Sequence, residues 1–180
     1  MPEHNTITDP NIHEPKGVAS ASSGQVYVAD GAGSGDWRFI PHSALYYDNI
    51  GTGTTITTPT SYTVINPVTT GDTNPHGFTH NGAGRLTYTG TETIDVNIDT
   101  SISFKHSTGT GQDCFFQAHK NGSPIAGAQG VVTADSANYQ QITLTMHASI
   151  ATNDYIEIYC KTATGSIVIH SFVLKVGGHL

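Results

Sequence analysis

Ten of the 180 residues in this chain are histidines, side chains able to bind metals or shuttle protons. In "HGFTH", His76 and His80 stand four apart. On a helix that spacing chelates a metal. The flanking residues predict strand or loop, and on a strand the two imidazoles are ~13 Å apart, too far to share one ion. No HExxH occurs. No G-x-S-x-G places a nucleophilic serine, and no Walker lysine follows "GAGSG" or "GTGTT", which read as turns. The carboxylates Asp95, Asp99, Asp113, Asp135, Asp154 and Glu157 show no spacing that singles out a glycosidase pair. A pair assembled in three dimensions stays open. The sequence therefore predicts no enzyme, no cofactor and no metal site. The histidines are expected at solvent-exposed or interface positions. Imidazoles gathered around an oligomer axis would be invisible to sequence.

Cys114 and Cys160 are too few for a disulfide framework, and no CxxC or Cys/His metal spacing surrounds them. Both share the parity of inward residues in their strands and read as buried free thiols. Asn121-Gly122-Ser123 matches a glycosylation sequon, but the Asn-Gly dipeptide reads first as a hairpin turn. "MPEHNTITDP" lacks a charged region followed by an apolar one, so a chain made and folded in a reducing cytosol is expected. No apolar run approaches a membrane span, and membrane insertion is not expected. The formal charge is −7, with the seven bases scattered over Lys16, Arg38, Arg85, Lys105, Lys120, Lys161 and Lys175. A nucleic-acid backbone binder would need them clustered.

The elements that position these residues are strands. Twenty glycines and 12% charged residues argue against a helical bundle. In "TIDVNIDTSISFKH", Ile94, Val96, Ile98, Ile102 and Phe104 share one parity, which predicts one long strand, or two joined by a bend, with one buried face. Further runs are "ALYYD" (44–48), "SYTVI" (61–65), "GFTH" (77–80), "RLTYTG" (85–90), "DCFFQAHKNG", "QITLTMHASI", "ATNDYIEIYC" and "SIVIHSFVLKV". Eight to ten strands with short turns and no credible helix predict an all-β domain, a β-sandwich or jelly roll, over residues 44–180. Phe115, Val173, Tyr155 and Tyr159 fall out of phase with the core. Phe115, Tyr155 and Tyr159 are therefore candidate residues of a subunit interface.

Residues 1–43 differ. Pro2, Pro10 and Pro15 interrupt a stretch with few apolar residues, which predicts an extended arm with Ile7 and Ile12 as isolated apolar pegs. "GQVYVADGAGSGDWRFIP" then predicts a small hairpin. Tyr27, Trp37 (the sole tryptophan) and Phe39 lie on it. A two-stranded hairpin is marginal alone, and exposed aromatics ask for a partner.

"KNGSPIA" followed by "YQQITLTMHASIATNDYIEIYCKTATGSIVIHSFVLKV" resembles the C-terminal half of the tumour-necrosis-factor/C1q-like jelly roll, with Asn153-Asp154 where that family has Gly-Asp. "RLTYTGTETIDVNIDTSISFKHST" fits its turn followed by a long strand. The resemblance covers about residues 60–180 and implies a compact homotrimer. "DPNIHEPKGVASASSGQVYVADGAGSGDW" is similar to N-terminal segments of bacteriophage head decoration, head-fibre and tail-fibre proteins, where such units join an attachment arm to a globular head. Together these imply a virion structural protein: a trimeric capsid decoration (cement) or head-fibre protein. It would bind the major capsid protein through its arm, by Ile7, Ile12, Tyr27, Trp37 and Phe39. The alternatives are a tail-fibre or accessory receptor-binding protein recognising a host receptor or glycan, a depolymerase, and a bacterial C1q-like binding module.

Overall fold

The structure is a computed structural model that describes residues 20–29, 32, 35–57 and 60–179. The chain divides into two compact units after Ile40. The first contains strands β1 (Gln25–Ala29) and β2 (Gly35–Phe39), paired antiparallel with Tyr27 opposite Trp37. Candidate residues Ile7 and Ile12 lie outside the described residues.

The second unit is an all-β sandwich with no α-helix among the described residues. Its first sheet holds β3 (His42–Asp48), β4 (Thr54–Ile56), β6 (Thr70–Gly71), β9 (Ile94–His106), β12 (Gln140–Ile150) and β14 (Ile167–His179), in the order β12-β9-β14-β3-β6 with β4 beside β14. The second holds β5 (Thr63–Val64), β7 (Phe78–His80), β8 (Leu86–Tyr88), β10 (Gln112–Lys120), β11 (Ser123–Ala134) and β13 (Tyr155–Thr162), in the order β11-β10-β13-β8-β7 with β5 beside β13. The expected eight to ten strands become twelve because the short β4 and β6 pair at the margins and β11 is added.

The period-two pattern sets which face is buried. β9 is one unbroken strand, and its inward Ile98, Ile102 and Phe104 are fully buried. The core is filled from both sheets. Phe104 of the first meets Phe116 of the second with ring centroids 4.6 Å apart. Phe172, Leu174, Ile156 and Ile158 complete its centre.

β11 has no counterpart among the expected strands. Its sequence, "SPIAGAQGVVTA", is rich in small residues and carries Gly127 at φ +74°. A Cβ on Gly130 would stand 2.6 Å from Ile142 Cδ1 and 2.9 Å from Leu144 Cδ2. Gly130 therefore packs directly under the ends of the Ile142 and Leu144 side chains of β12 in the facing sheet, and the small residues of β11 blur the alternating pattern that marks a strand.

Candidate functional site

Three regions carry the residues picked out by sequence. On the hairpin, Tyr27 and Trp37 sit directly opposite each other and meet edge to face at 5.4 Å. Phe39 follows two residues on, so period two places all three aromatics on one face of the ribbon. All three are half-buried. Gln25 ties the hairpin's base: its Nε2 donates to Trp37 O at 3.2 Å and its Oε1 accepts from Ser22 N–H at 2.6 Å. Val26 and Ile40 are 38% and 45% exposed. The described side chains of the hairpin are mainly aromatic and aliphatic.

The second region is the outer face of the sheet containing β10 and β13. It holds Phe115, Tyr155 and Tyr159, each half-buried and each covered from within the chain. The Arg85 guanidinium stands 3.9 Å over the Tyr155 ring. His119 stacks on Tyr159 at 3.9 Å with 16° between planes. Lys161 Nζ lies 5.0 Å from the Phe115 ring and 4.6 Å from that of Tyr62. Between the two tyrosines Glu157 is buried, and its Oε1 accepts from Arg85 Nε at 2.8 Å. That bond raises the Arg85 pKa above its ordinary value. Tyr159 O–H donates to Glu157 Oε2 at 3.3 Å, and its phenol pKa is raised, first by burial and then by the Glu157 charge. The outward phase of Tyr155 and Tyr159 thus has an intramolecular cause: they wall the buried Glu157 carboxylate, which pairs with the partly exposed Arg85 guanidinium. Phe115 differs, because Val131, directly opposite it on β11, is 54% exposed. On the other sheet, out-of-phase Val173 pairs with Tyr46, which is 46% exposed.

The third region is the histidine set. Three imidazoles expected at exposed or interface positions are instead buried structural ties. His106 Nε2 donates to Thr164 O at 2.7 Å, while its Nδ1 accepts from Thr108 N–H at 3.2 Å. His119 Nδ1 donates to Gly122 O at 3.0 Å, and His170 Nδ1 to Ile50 O at 3.0 Å. These partners lie in loops distant from or irregular to the strands, so no spacing announces them. His76 and His80 form no pair in the structure. His76 instead bridges to His42, with backbone bonds in both directions at 2.9 Å.

Four of the carboxylates singled out by sequence are held in local structure. Asp99 accepts from Thr145 Oγ1 at 2.8 Å and Asp113 from Thr133 Oγ1 at 2.9 Å. Asp135 accepts from the backbone of Ala137 and Asn138, whose hydrogen bonds hold its carboxyl below the ordinary range. Asp154 accepts from Ala151 N–H at 2.9 Å and Asn121 Nδ2 at 2.5 Å. Asn121 Oδ1 in turn accepts from Tyr155 N–H at 2.9 Å, so the Asn-Gly hairpin is bolted to the β12–β13 turn. Cys114 and Cys160 are free and buried. Burial pushes the Cys114 thiol up to about 11 and Cys160 higher still. Among the described residues no group of three or more His, Cys, Asp or Glu is gathered to hold a metal ion. No described helix is long and apolar enough to cross a membrane.

No protein-family model and no curated protein sequence matches the chain. Solved structures do match in fold. PRD1 vertex protein P5 aligns over 89% of this chain and 84% of its own, with a TM-score of 0.54 at 12% identity. Eiger TNF from S. frugiperda aligns over 78% and 94%, with 0.52 at 11% identity. The globular domain of zebrafish complement 1qA protein aligns over 78% and 97%, with 0.50 at 9% identity. With its two facing antiparallel sheets and this strand order, the second unit has the jelly-roll fold of TNF- and C1q-like domains.

Proposed function

We propose that the chain is a structural component of a phage particle, a trimeric capsid decoration or head-fibre protein on the virion surface. The observation that carries this reading is the division of the chain into a jelly-roll sandwich and a separate small unit whose hairpin is built of aromatics. A two-stranded ribbon gains little stability alone. Tyr27, Trp37 and Phe39, with the segment before them that includes Ile7 and Ile12, would bind the major capsid protein. The likeness of fold to a vertex protein supports the reading. Binding to the assembled shell and not to its free parts would stabilise the shell by mass action. Three arms on one trimer would add avidity. Within the trimer, Phe115 beside exposed Val131 is the more credible contact of the three sequence candidates, since Tyr155 and Tyr159 are occupied by Arg85 and His119.

A second reading, an accessory receptor-binding protein, finds support in a cleft of ≈ 230 Å³ lined by Thr60, Phe115, Lys161, Thr162 and Ala163. It is smaller than the ~300–1,000 Å³ of ordinary ligand pockets, so we place this reading second. Quantifying the chain against the major capsid protein in purified virions separates the two. Hundreds of copies support decoration of the head; a few to a few dozen support the tail.

A further inference from the structure

Two Asn-Gly dipeptides stand in turns of the sandwich, Asn81-Gly82 between β7 and β8 and Asn121-Gly122 between β10 and β11. Both asparagines are exposed. A glycine after asparagine leaves its backbone nitrogen open to the side-chain amide carbon, because no Cβ stands in the way. The two amides are held in opposite ways.

The Asn81 side chain folds onto its own loop. Its Oδ1 accepts from Ala83 N–H at 2.8 Å and from Arg85 N–H at 3.1 Å. Both partners are donors, which fixes the oxygen on that side of the amide. The Ala83 bond closes a ring, an Asx turn, that contains both Asn81 Cγ and Gly82 N. Thr69 N–H holds the Gly82 carbonyl at 3.0 Å, and no described residue accepts from the Gly82 N–H. A Cβ on Gly82 would meet nothing within 4 Å, so water reaches the loop. Asn121 is the reverse case. Its Nδ2 donates to Asp154 Oδ1 at 2.5 Å and its Oδ1 accepts from Tyr155 N–H at 2.9 Å, 33 and 34 residues away in sequence. These bonds draw the amide off its own turn and onto the next one.

We propose that Asn81 is a site of intramolecular deamidation activated by its own loop, and that Asp154 and Tyr155 shield Asn121 from the same reaction. In the first step Gly82 N forms a bond to Asn81 Cγ. Negative charge gathers on Oδ1, where two backbone N–H groups already stand at the distances of an oxyanion hole. The Cγ–Nδ2 bond then breaks, and the amide nitrogen leaves as ammonia carrying the Gly82 proton. One water molecule opens the resulting succinimide to aspartate or isoaspartate. The inference is independent of the virion reading.

The test follows both asparagines by peptide mass spectrometry while the full-length protein is held at pH 8, folded and in urea. In the folded chain Asn81 is expected to convert at least ~10-fold faster than Asn121, since freeing Asn121 breaks a hydrogen bond to a charged group. In urea the two are expected to convert at similar rates. Asp154→Ala is expected to speed conversion of Asn121 ~10-fold and to leave that of Asn81 unchanged, with circular dichroism checking its fold. An intact Asn81 in the folded parent, or equal conversion of the two asparagines there, overturns the proposal without recourse to any variant. So does the same excess of Asn81 conversion in urea, which would assign it to local sequence alone. A folded Asp154→Ala protein in which Asn121 converts as slowly as in the parent overturns the shielding.

Discussion

Arg85 and Glu157, 72 residues apart in sequence, are joined by a 2.8 Å hydrogen bond between guanidinium and carboxylate on the outer face of the sandwich. The Glu157 side chain is 6% exposed and that of Arg85 37%. Removing Arg85 strands a buried charge, whereas removing both removes the need for a partner. Arg85→Ala is expected to cost about 2 kcal/mol, below the ~3–5 of a fully buried pair because the guanidinium is partly solvated. The double replacement Arg85→Met with Glu157→Leu is expected to cost less than Arg85→Ala alone. Denaturant unfolding of the parent and the two variants measures this, and a double replacement that costs as much as Arg85→Ala or more would contradict it.

Asp154 carries a pH dependence. Its carboxyl is held below the ordinary range by the Ala151 N–H, then by the Asn121 amide, with Lys120 at 3.6 Å adding its charge. A depressed folded-state pKa contributes stability that is fully present above the unfolded value of ~3.9 and is lost as pH falls through the folded one. The melting temperature of the parent should therefore fall below about pH 4, and that part of the fall should be shallower in Asp154→Asn. Parallel curves for the two proteins would contradict the assignment.

The thiols of Cys114 and Cys160 are fully buried and their pKa values are raised by burial. Since the thiolate is the reactive form, the folded protein is expected to leave both unmodified by a water-soluble disulfide reagent at pH 8. Both should react once denaturant unfolds the sandwich. Rapid labelling of the folded chain would show that the core opens.

The sandwich has its own core and begins at Pro41. A chain lacking residues 1–40 is expected to fold and to form the same trimer in solution as the full chain, but to lose capsid binding. Sedimentation and a capsid pull-down measure the two properties. A monomeric full-length chain would contradict the trimer, and undiminished capsid binding would contradict the role given to the arm and hairpin.

The fold was legible where burial imposes strict alternation. Ile94 through Phe104 announce β9, and the runs ending in Cys160 and Val176 announce β13 and β14, because one face of each meets a core and the other does not. β11 was not legible, since its small residues, Gly130 beneath Ile142 and Leu144 among them, carry little hydropathy signal. Around the candidate site the outward phase of Tyr155 and Tyr159 was legible but its cause was not. Arg85, the residue that accounts for it, is brought there by pairing of β8 with β13. In the same way His76 was readable only against its neighbour His80, while its actual companion, His42, lies on a strand that a bridge places opposite. Period and composition report which face a residue takes, and long-range register decides what it meets there.

Decoration of a capsid by this chain is tested by a cryo-EM reconstruction of the particle that carries it. Threefold knobs of sandwich size are expected over the capsid lattice, with density for the arm and hairpin at their base against the shell. A bare lattice, with knobs confined to the tail or to a single vertex, would contradict it and move the chain to the receptor-binding reading.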